Sequence, residues 1–455
     1  MSEIKVNKIS PRTACGTVTL GDSGDTIALG SGATQTGFGR TGTVDWQTGS
    51  IKTTTFTAVS GQGFFCDTNG GSFTCNLPAG TAGAIVSLQD YRNTFDTAAL
   101  VVAPNGSQKI NGGAGNVSLT TEGEGLTLVY IDSTIGWRSI QDNVFADIGS
   151  TFVAATGGTE ATSGDFKIHT FTGPGTFTVT AAGSPAGSNT VSYLVVAGGG
   201  SGGPSGNSTG GGTGAGAGGA GGFREGKASY DTYTASPLNA PAGLPVSAQA
   251  YSITVGGGGA AGSPTLNPGN SGSISTFSTI SSAGGGYGAG GGGGTPGPAA
   301  SGGSGGGAGG ANNPVAGSGN TPSVSPPQGN NGGSGSGGGQ YGGGGGGGAT
   351  AVGANGAPGS GGDGGAGATS SINGTPTARA GGGGGGIYDC NQEGAGGTGG
   401  GGAGGVNTSV PQLPGNAGTT NTGGGGGGGT SNNTGGYGSG GAGGSGIVII
   451  RYKFQ

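Results

Sequence analysis

The chain of 455 residues contains 128 glycines, 7% charged residues and 30% hydrophobic residues, proportions that ordinary globular domains do not have. A formal net charge of −5 without any Lys/Arg cluster excludes phosphate neutralisation, and with it nucleic-acid binding and adsorption to an anionic membrane surface. The charge is also unevenly spread: between Thr232 and Gly446 the only Asp, Glu, Lys and Arg residues are Asp363, Arg379, Asp389 and Glu393.

The opening "MSEIKVNKIS" has no apolar core of the kind a secretory signal needs, and the most apolar run, Ile447 to Ile450, is far short of the about 20 residues of a membrane span. Neither a signal sequence nor membrane insertion is expected. Residues 1–45 read as short extended pieces, with Val18, Leu20, Ile27 and Leu29 alternating with polar residues and glycine. These are too few to form a core alone, so a thin fibre-like segment covered by other copies is expected, with three chains around one axis as the simplest case.

Residues 46–145 show about eight short alternating or apolar runs, among them "GQGFFCDT", "SFTCNLP", "AIVSLQD", "ALVVAP" and "LTLVYID", separated by turn residues as in a β-sandwich. In "FFCDTNGGSFTCNL" a two-residue turn at Gly70 and Gly71 sets Cys66 opposite Cys75 across a hairpin. The alternative reading, two small apolar side chains in a reduced core, suits a protein made in a cytosol better. Residues 146–192 read as a connector, with "FKIHTFTG" and "GTFTVTAAG" forming a hairpin around Gly173 to Gly175. No segment has a helical period, so the many G-x-G-x-x-G matches are products of glycine density rather than a dinucleotide fingerprint. The single histidine, His169, stands apart from the cysteines Cys15, Cys66, Cys75 and Cys390, so neither a metal nor a cofactor is expected.

Residues 193–455 enter glycine territory through "SYLVVAGGGSGG" and leave it through "GGSGIVIIRYKF". These mirror-image ends predict that Tyr193–Ala197 pairs with Ile447–Tyr452 to close one domain. Collagen is excluded because runs such as Gly342 to Gly348 have no Gly-X-Y period, and the differing segments between runs exclude a recurring elastic unit. A flexible linker does not account for the framing strands or for Tyr287, Tyr341, Tyr388 and Tyr437 at the run edges. The remaining reading is polyglycine II: three residues per turn, about 3.1 Å rise, and every N–H and C=O pointing sideways. Only glycine lacks the Cβ that holds such rods apart, so adjacent rods can bond in three directions. About one net-weak hydrogen bond per residue hardly offsets the entropy of ordering glycine, so stability must come from the frame. The expected fold class is therefore all-β without helices: a fibre-like segment, a β-sandwich, and a polyglycine II sandwich framed by strands.

In order and content, "YLVVAGGG", "AGGFREG", "YSITVGGGG", the "GGGGGG" runs and "GGAGGSGIVIIRY" resemble the glycine-rich domain of bacteriophage tail-fibre and adhesin proteins, over roughly Tyr193 to Tyr452. "MSEIKVNKIS" and "TLGDSGDTI" also look like the start of a tail fibre. In such adhesins layered polyglycine II rods hold loops that recognise the bacterial surface. The resemblance implies a virion protein assembled in the host cytoplasm and attached through residues 1–45 to other tail or baseplate proteins. It further implies a homotrimer, and a receptor that is a surface polysaccharide or outer-membrane protein. Unlike those adhesins, this chain carries its own fibre-like and sandwich parts.

Alternating run direction sorts the loops between two ends. Counting ten runs from the opening strand places Thr295–Ala300, Ala349–Pro358, Ile387–Glu393 and Thr430–Thr434 at the distal end, and the Pro264, Pro314–Pro327, Ser370–Pro376 and Pro411 loops at the near end. "IYDCNQE" is the richest in recognition chemistry, with Tyr388, Asp389, Asn391, Gln392 and Glu393; Asn355, Asn432 and Asn433 complete the candidate receptor contacts. The other reading has Tyr388 capping a glycine layer and the rest merely solvated. A glycosidase needs two carboxylates at fixed separation. Neither Asp389/Glu393, Glu122/Glu124 nor Asp22/Asp25 converges with an Arg or His in sequence, so a binder rather than an enzyme is expected. A polysaccharide-degrading fibre and a non-viral structural glycine-rich protein are the alternatives.

Overall fold

The structure is a computed structural model that describes residues 44–140, 152–183, 188–206, 213–263, 268–292, 297–310, 315–337, 341–389, 392–406, 414–432 and 436–455. The described residues form strands, turns and extended chain, with no helix among them, as the sequence predicts. They fall into two compact units: Asn105 and the described residues before it, with Ser118–Asp132 and Arg138–Ile140, and Gly106–Val117, Ser133–Trp137 and the described residues after Ile140.

In the first unit, successive strands alternate between two sheets. Asp45–Trp46, Gln62–Cys66 and Ile85–Asp90 lie parallel in one, and Phe56–Thr57, Phe73–Asn76 and Leu100–Ala103 lie parallel in the other. Gly125–Asp132 joins the first sheet antiparallel to Ile85–Asp90. The chain thus winds as a flattened coil, and alternate apolar residues (Phe64, Cys66, Cys75, Leu77, Val86, Leu88, Leu100, Val102) fill the space between the sheets. The hairpin expected at Gly70–Gly71 does not form. Gly71, at φ +123°, turns the chain out of one sheet and into the other, where each strand gains parallel neighbours and a facing sheet instead of a single partner. Cys66 and Cys75 are buried free thiols. Burial pushes the Cys66 thiol up to about 12 and raises that of Cys75 as well.

In the second unit, the opening strand Thr190–Val196 pairs antiparallel with the closing strand Ile447–Lys453, Tyr193 opposite Ile450 and Val196 opposite Ile447. The predicted closure is therefore present. This pair occupies the middle of a sheet ordered Thr159–Ser163, Phe166–Phe171, Ile447–Lys453, Thr190–Val196, Phe223–Gly226, Asn239–Ala240. A second sheet runs Val153–Thr156, Gly175–Ala182, Ala250–Thr254, Ser275–Phe277, Ile280–Ser282. Phe166–Phe171 and Gly175–Ala182 belong to different sheets, so the hairpin expected around Gly173–Gly175 does not form either. The chain crosses between layers there: Phe166–Phe171 pairs with Thr159–Ser163 and Ile447–Lys453, and Gly175–Ala182 with Val153–Thr156 and Ala250–Thr254, so each strand has a partner on both sides.

The central strands are covered on both faces, which is why "YLVV" and "IVII" are continuously apolar rather than alternating. One face packs Tyr193, Val195, Val448, Ile450 and Tyr452 against Phe177, Tyr251 and Phe277. The other packs Leu194, Val196, Ile447 and Ile449 against Phe223, Ile372 and the rod alanines Ala220 and Ala349. On this second face the buried Arg451 bonds Asp231 at 3.0 Å and lies 4.3 Å from the Phe166 ring centre. Asp231 also accepts from the Ser192 hydroxyl at 2.8 Å, and buried Glu225 accepts from the Ser370 hydroxyl at 2.5 Å and the Ser236 N–H at 2.9 Å. An ion pair so enclosed fixes the opening strand, the closing strand and the loop at Asp231 in one arrangement.

Candidate functional site

The glycine runs form a hydrogen-bonded lattice. Along Gly214–Gly222, every third residue donates to the same neighbour at 2.8–3.1 Å: Gly214, Ala217 and Ala220 to Tyr341, Gly344 and Gly347; Ala215, Gly218 and Gly221 to Gly429, Gly426 and Gly423; Gly216, Gly219 and Gly222 to Ala289, Gly286 and Ala283. Three further rods donate back into it, Gly200 and Gly203 from one, Ser304 and Gly307 from another, Gly383 and Gly386 from a third. A step of three residues per neighbour and six neighbours around one rod are the signature of polyglycine II. Partner numbers rise together for Gly342–Gly348 and oppositely for the others, so parallel and antiparallel rods coexist. A Cβ on Gly343, Gly346 or Gly383 would lie less than 3.0 Å from a carbonyl oxygen of the next rod. The glycines are needed for this close approach, not for a left-handed backbone.

Rod directions sort the loops. Rods leave the frame at Gly198, Gly381 and Gly424 and reach the opposite, far end near Ser205, Gly386 and Gly429, as their bonds to Gly216, Gly218 and Gly200 require. Residues 387–389 and 392–393 and residues 430–432 and 436–437 therefore lie at the far end, as the run count predicts, and Ser370–Pro376 lies at the frame end. Ala349–Pro358 is corrected. Ala349 bonds Ala380 and Thr350 bonds Ala366 at the frame end, whereas Ala357 and Ser360 bond each other at the far end. A short rod, 353–357, joins the two levels. It was invisible to glycine counting because its exposed outer side tolerates Asn and Ala. Pro264, Pro314 and Pro411 lie outside the described residues; Asn320–Gln328 is at the frame end, with Asn320 bonded to Gly303.

At the far end three segments meet. Asp389 N–H donates to Ser431 at 3.1 Å, Ser431 N–H to Ile387 at 3.1 Å, and Gly361 N–H to the Gln392 carbonyl at 2.9 Å. Below them the buried Thr430 hydroxyl donates to Gly405 and accepts from Ile387 N–H at 3.3 Å, and the Ser205 hydroxyl donates to Thr430 at 2.8 Å. These hydroxyls replace glycine where rods end and loops begin; their Ser/Thr identity at run edges was the available signal. Asp389 and Gln392 are exposed, Tyr388 and Glu393 half-buried, and Asp389 sits at φ +49°, a left-handed turn that Asp tolerates. Asn432 is buried and accepts from Gly436 N–H at 3.1 Å, closing its own loop. Asn355 is exposed on the short rod and accepts from Ser334 N–H at 2.8 Å. Asn391 and Asn433 lie outside the described residues. The Glu124 carboxylate, weighed above as half of an acid pair, accepts the N–H groups of Thr120 and Thr121 at 3.0 and 3.1 Å, which fixes a turn.

The far end therefore presents a carboxylate, amides and a phenol on a backbone lattice that has almost no side chains of its own. Residues 169–453, more than half of the chain, match the family model of a glycine-rich domain. The chain belongs to the glycine-rich domain family. The match spans both framing strands and every described rod of the glycine-rich domain, so the family and the lattice coincide. No curated protein matches the chain significantly.

Proposed function

We propose that this protein is a bacteriophage tail-fibre component that attaches to the virion through its N-terminal part and recognises the bacterial surface through the far-end loops of its glycine-rich domain. The observation that carries this reading is the gathering of residues 387–389 and 392–393, residues 430–432 and 436–437 and the turn at 357–360 at one end of a body whose described rods are bonded to their neighbours at nearly every residue. A lattice of that kind holds loops still without lending them chemistry. Recognition then rests on Tyr388, Asp389, Gln392, Glu393 and Asn355, with Asn432 shaping its loop; Asn391 and Asn433 join this contact set on the sequence alone. Rigid presentation lowers the ordering cost of binding. In this reading the protein binds without catalysing a reaction, needs no cofactor, acts as a homotrimer joined to other tail or baseplate proteins, and is assembled in the host cytoplasm. The receptor is a surface polysaccharide or an outer-membrane protein.

The test replaces residues 387–393 by a Gly/Ser segment of equal length and measures how well the purified protein blocks adsorption of its phage. Blocking should fall at least about tenfold, equivalent to about 1.4 kcal/mol, while the melting temperature stays unchanged. Undiminished blocking would remove the assignment.

A further inference from the structure

The outer face of the first unit carries a row of aromatic rings that the far-end reading does not use. Trp46, Phe65 and Tyr91 come from three successive levels of the coil. Their ring centres are 5.0 Å apart for Trp46 and Phe65 and 6.4 Å apart for Phe65 and Tyr91. Trp46 is 39% and Tyr91 49% exposed. The indole has a prepared bed: a Cβ on its strand partner Gly63 would be 2.7 Å from two ring atoms, so only glycine lets the ring lie against the backbone.

Polar groups border the row on both sides. Register places Ser87 beside Gly63 and Gln89 beside Phe65 on the same face, with Ser87 and Thr127 hydroxyls 2.7 Å apart. On the other border Arg92 is 5.6 Å from the Tyr91 ring centre and bonds Asp67 at 2.7 Å.

Between Gln89 and the Asp67–Arg92 pair the row is one ring wide; Ile85 and Val129, paired on the same face beyond Ser87, are half-buried. A protein partner needs a broad apolar centre within about 800 Å² a side, which a single diagonal of rings between polar borders does not supply. A saccharide chain fits it. Its polarised C–H faces stack on the electron-rich faces of Trp and Tyr, its hydroxyls reach the half-buried Gln89 amide and the Asp67–Arg92 pair at the borders, and its length follows the row across three levels of the coil. The Asp67–Arg92 pair adds no net charge to the strip, and the exposed Asp45 next to Trp46 disfavours an anionic chain.

We propose that this strip is a second binding site, for a neutral polysaccharide, independent of the far-end loops. The test runs the full chain in native gels containing dextran, mannan, galactomannan or amylose, and follows tryptophan emission in solution. The chain has two tryptophans, and since Trp137 is buried a blue shift on stacking reports Trp46. At least one polysaccharide should retard the chain and shift its emission. Trp46→Ala and, separately, the surface change Tyr91→Ala should weaken retardation by about tenfold, or about 1.4 kcal/mol, Trp46→Phe should retain part of it, and the 387–393 replacement should leave it intact. Failure of all four polysaccharides to retard the chain would overturn the proposal, as would retardation that survives both alanine changes. Concentration-dependent sedimentation abolished by Trp46→Ala would overturn it too, by assigning the strip to a second copy of the chain.

Discussion

At the scale of single residues, the lattice makes an unusual demand: at most rod positions the constraint on a glycine is the carbonyl of the next rod rather than its own torsion angles. Gly346 and Gly257 separate the two effects. A Cβ on Gly346 would lie under 3.0 Å from the Gly218 carbonyl oxygen, whereas one on the exposed Gly257 meets nothing within 4 Å. Gly346→Ala should therefore destabilise the protein by about 1–3 kcal/mol or more through overpacking. Gly257→Ala should be neutral or stabilise by up to about 1 kcal/mol through its effect on the unfolded chain. Urea unfolding of the two variants beside the parent checks both, and equal losses would show that torsional freedom, not approach distance, selects glycine.

At the scale of elements, the edge strand Val153–Thr156 has its free N–H groups closed by hydroxyls, Val153 by Ser188 at 3.2 Å and Ala155 by Tyr452 at 3.2 Å. Tyr452 is held in turn by His169. The Gly157 carbonyl, 2.7 Å from His169 Nδ1, can only accept, so the proton is on Nδ1 and Nε2 accepts from the Tyr452 hydroxyl at 3.0 Å. Burial lowers the His169 pKa below its ordinary range, outweighing the Gly157 bond and the Glu160 carboxylate 4.0 Å away, with Lys167 acting in the same direction as burial. The folded state thus prefers neutral imidazole, and its contribution is complete above the unfolded value of about 6.5 and is lost as pH falls through the folded one. His169→Gln should be less stable than the parent at pH 7.5, and the gap should narrow by pH 5 when both are unfolded in urea. A constant gap would mean that the ring contributes packing alone. The sequence marked this histidine as isolated; its partner is 283 residues away in the chain, a distance that no local pattern spans.

At the scale of the whole molecule, the closing strand completes both apolar cores of the second unit. Removing Ile447–Gln455 should abolish cooperative unfolding of the glycine-rich domain and expose its glycine amides to fast hydrogen exchange; retained protection in Gly214–Gly222 would show that the lattice stands without its frame. Much of this architecture was legible beforehand. Continuous apolar runs identified the framing strands, and unbroken glycine identified the rods. The parallel winding of the first unit was not, because "FFCDTNGGSFTCNL" satisfies a hairpin and a coil turn equally well locally. The rod at 353–357 was missed because Asn and Ala on an outer rod side hide its backbone conformation. Among the candidate contacts, the Ile387–Glu393 loop was recognisable from its cluster of polar and aromatic residues in a charge-poor domain, but its proximity to Ser431 and Gly361 was not. By itself the sequence determined the type of every major element, because the lack of a Cβ and the alternation of apolar residues act within a few residues. Tertiary structure alone decided which rods are neighbours, in which direction each runs and which loops share an end. Every residue of a polyglycine rod offers the same N–H and C=O, so the rods have no side-chain code for pairing, and only the frame and the loops that join them set the order.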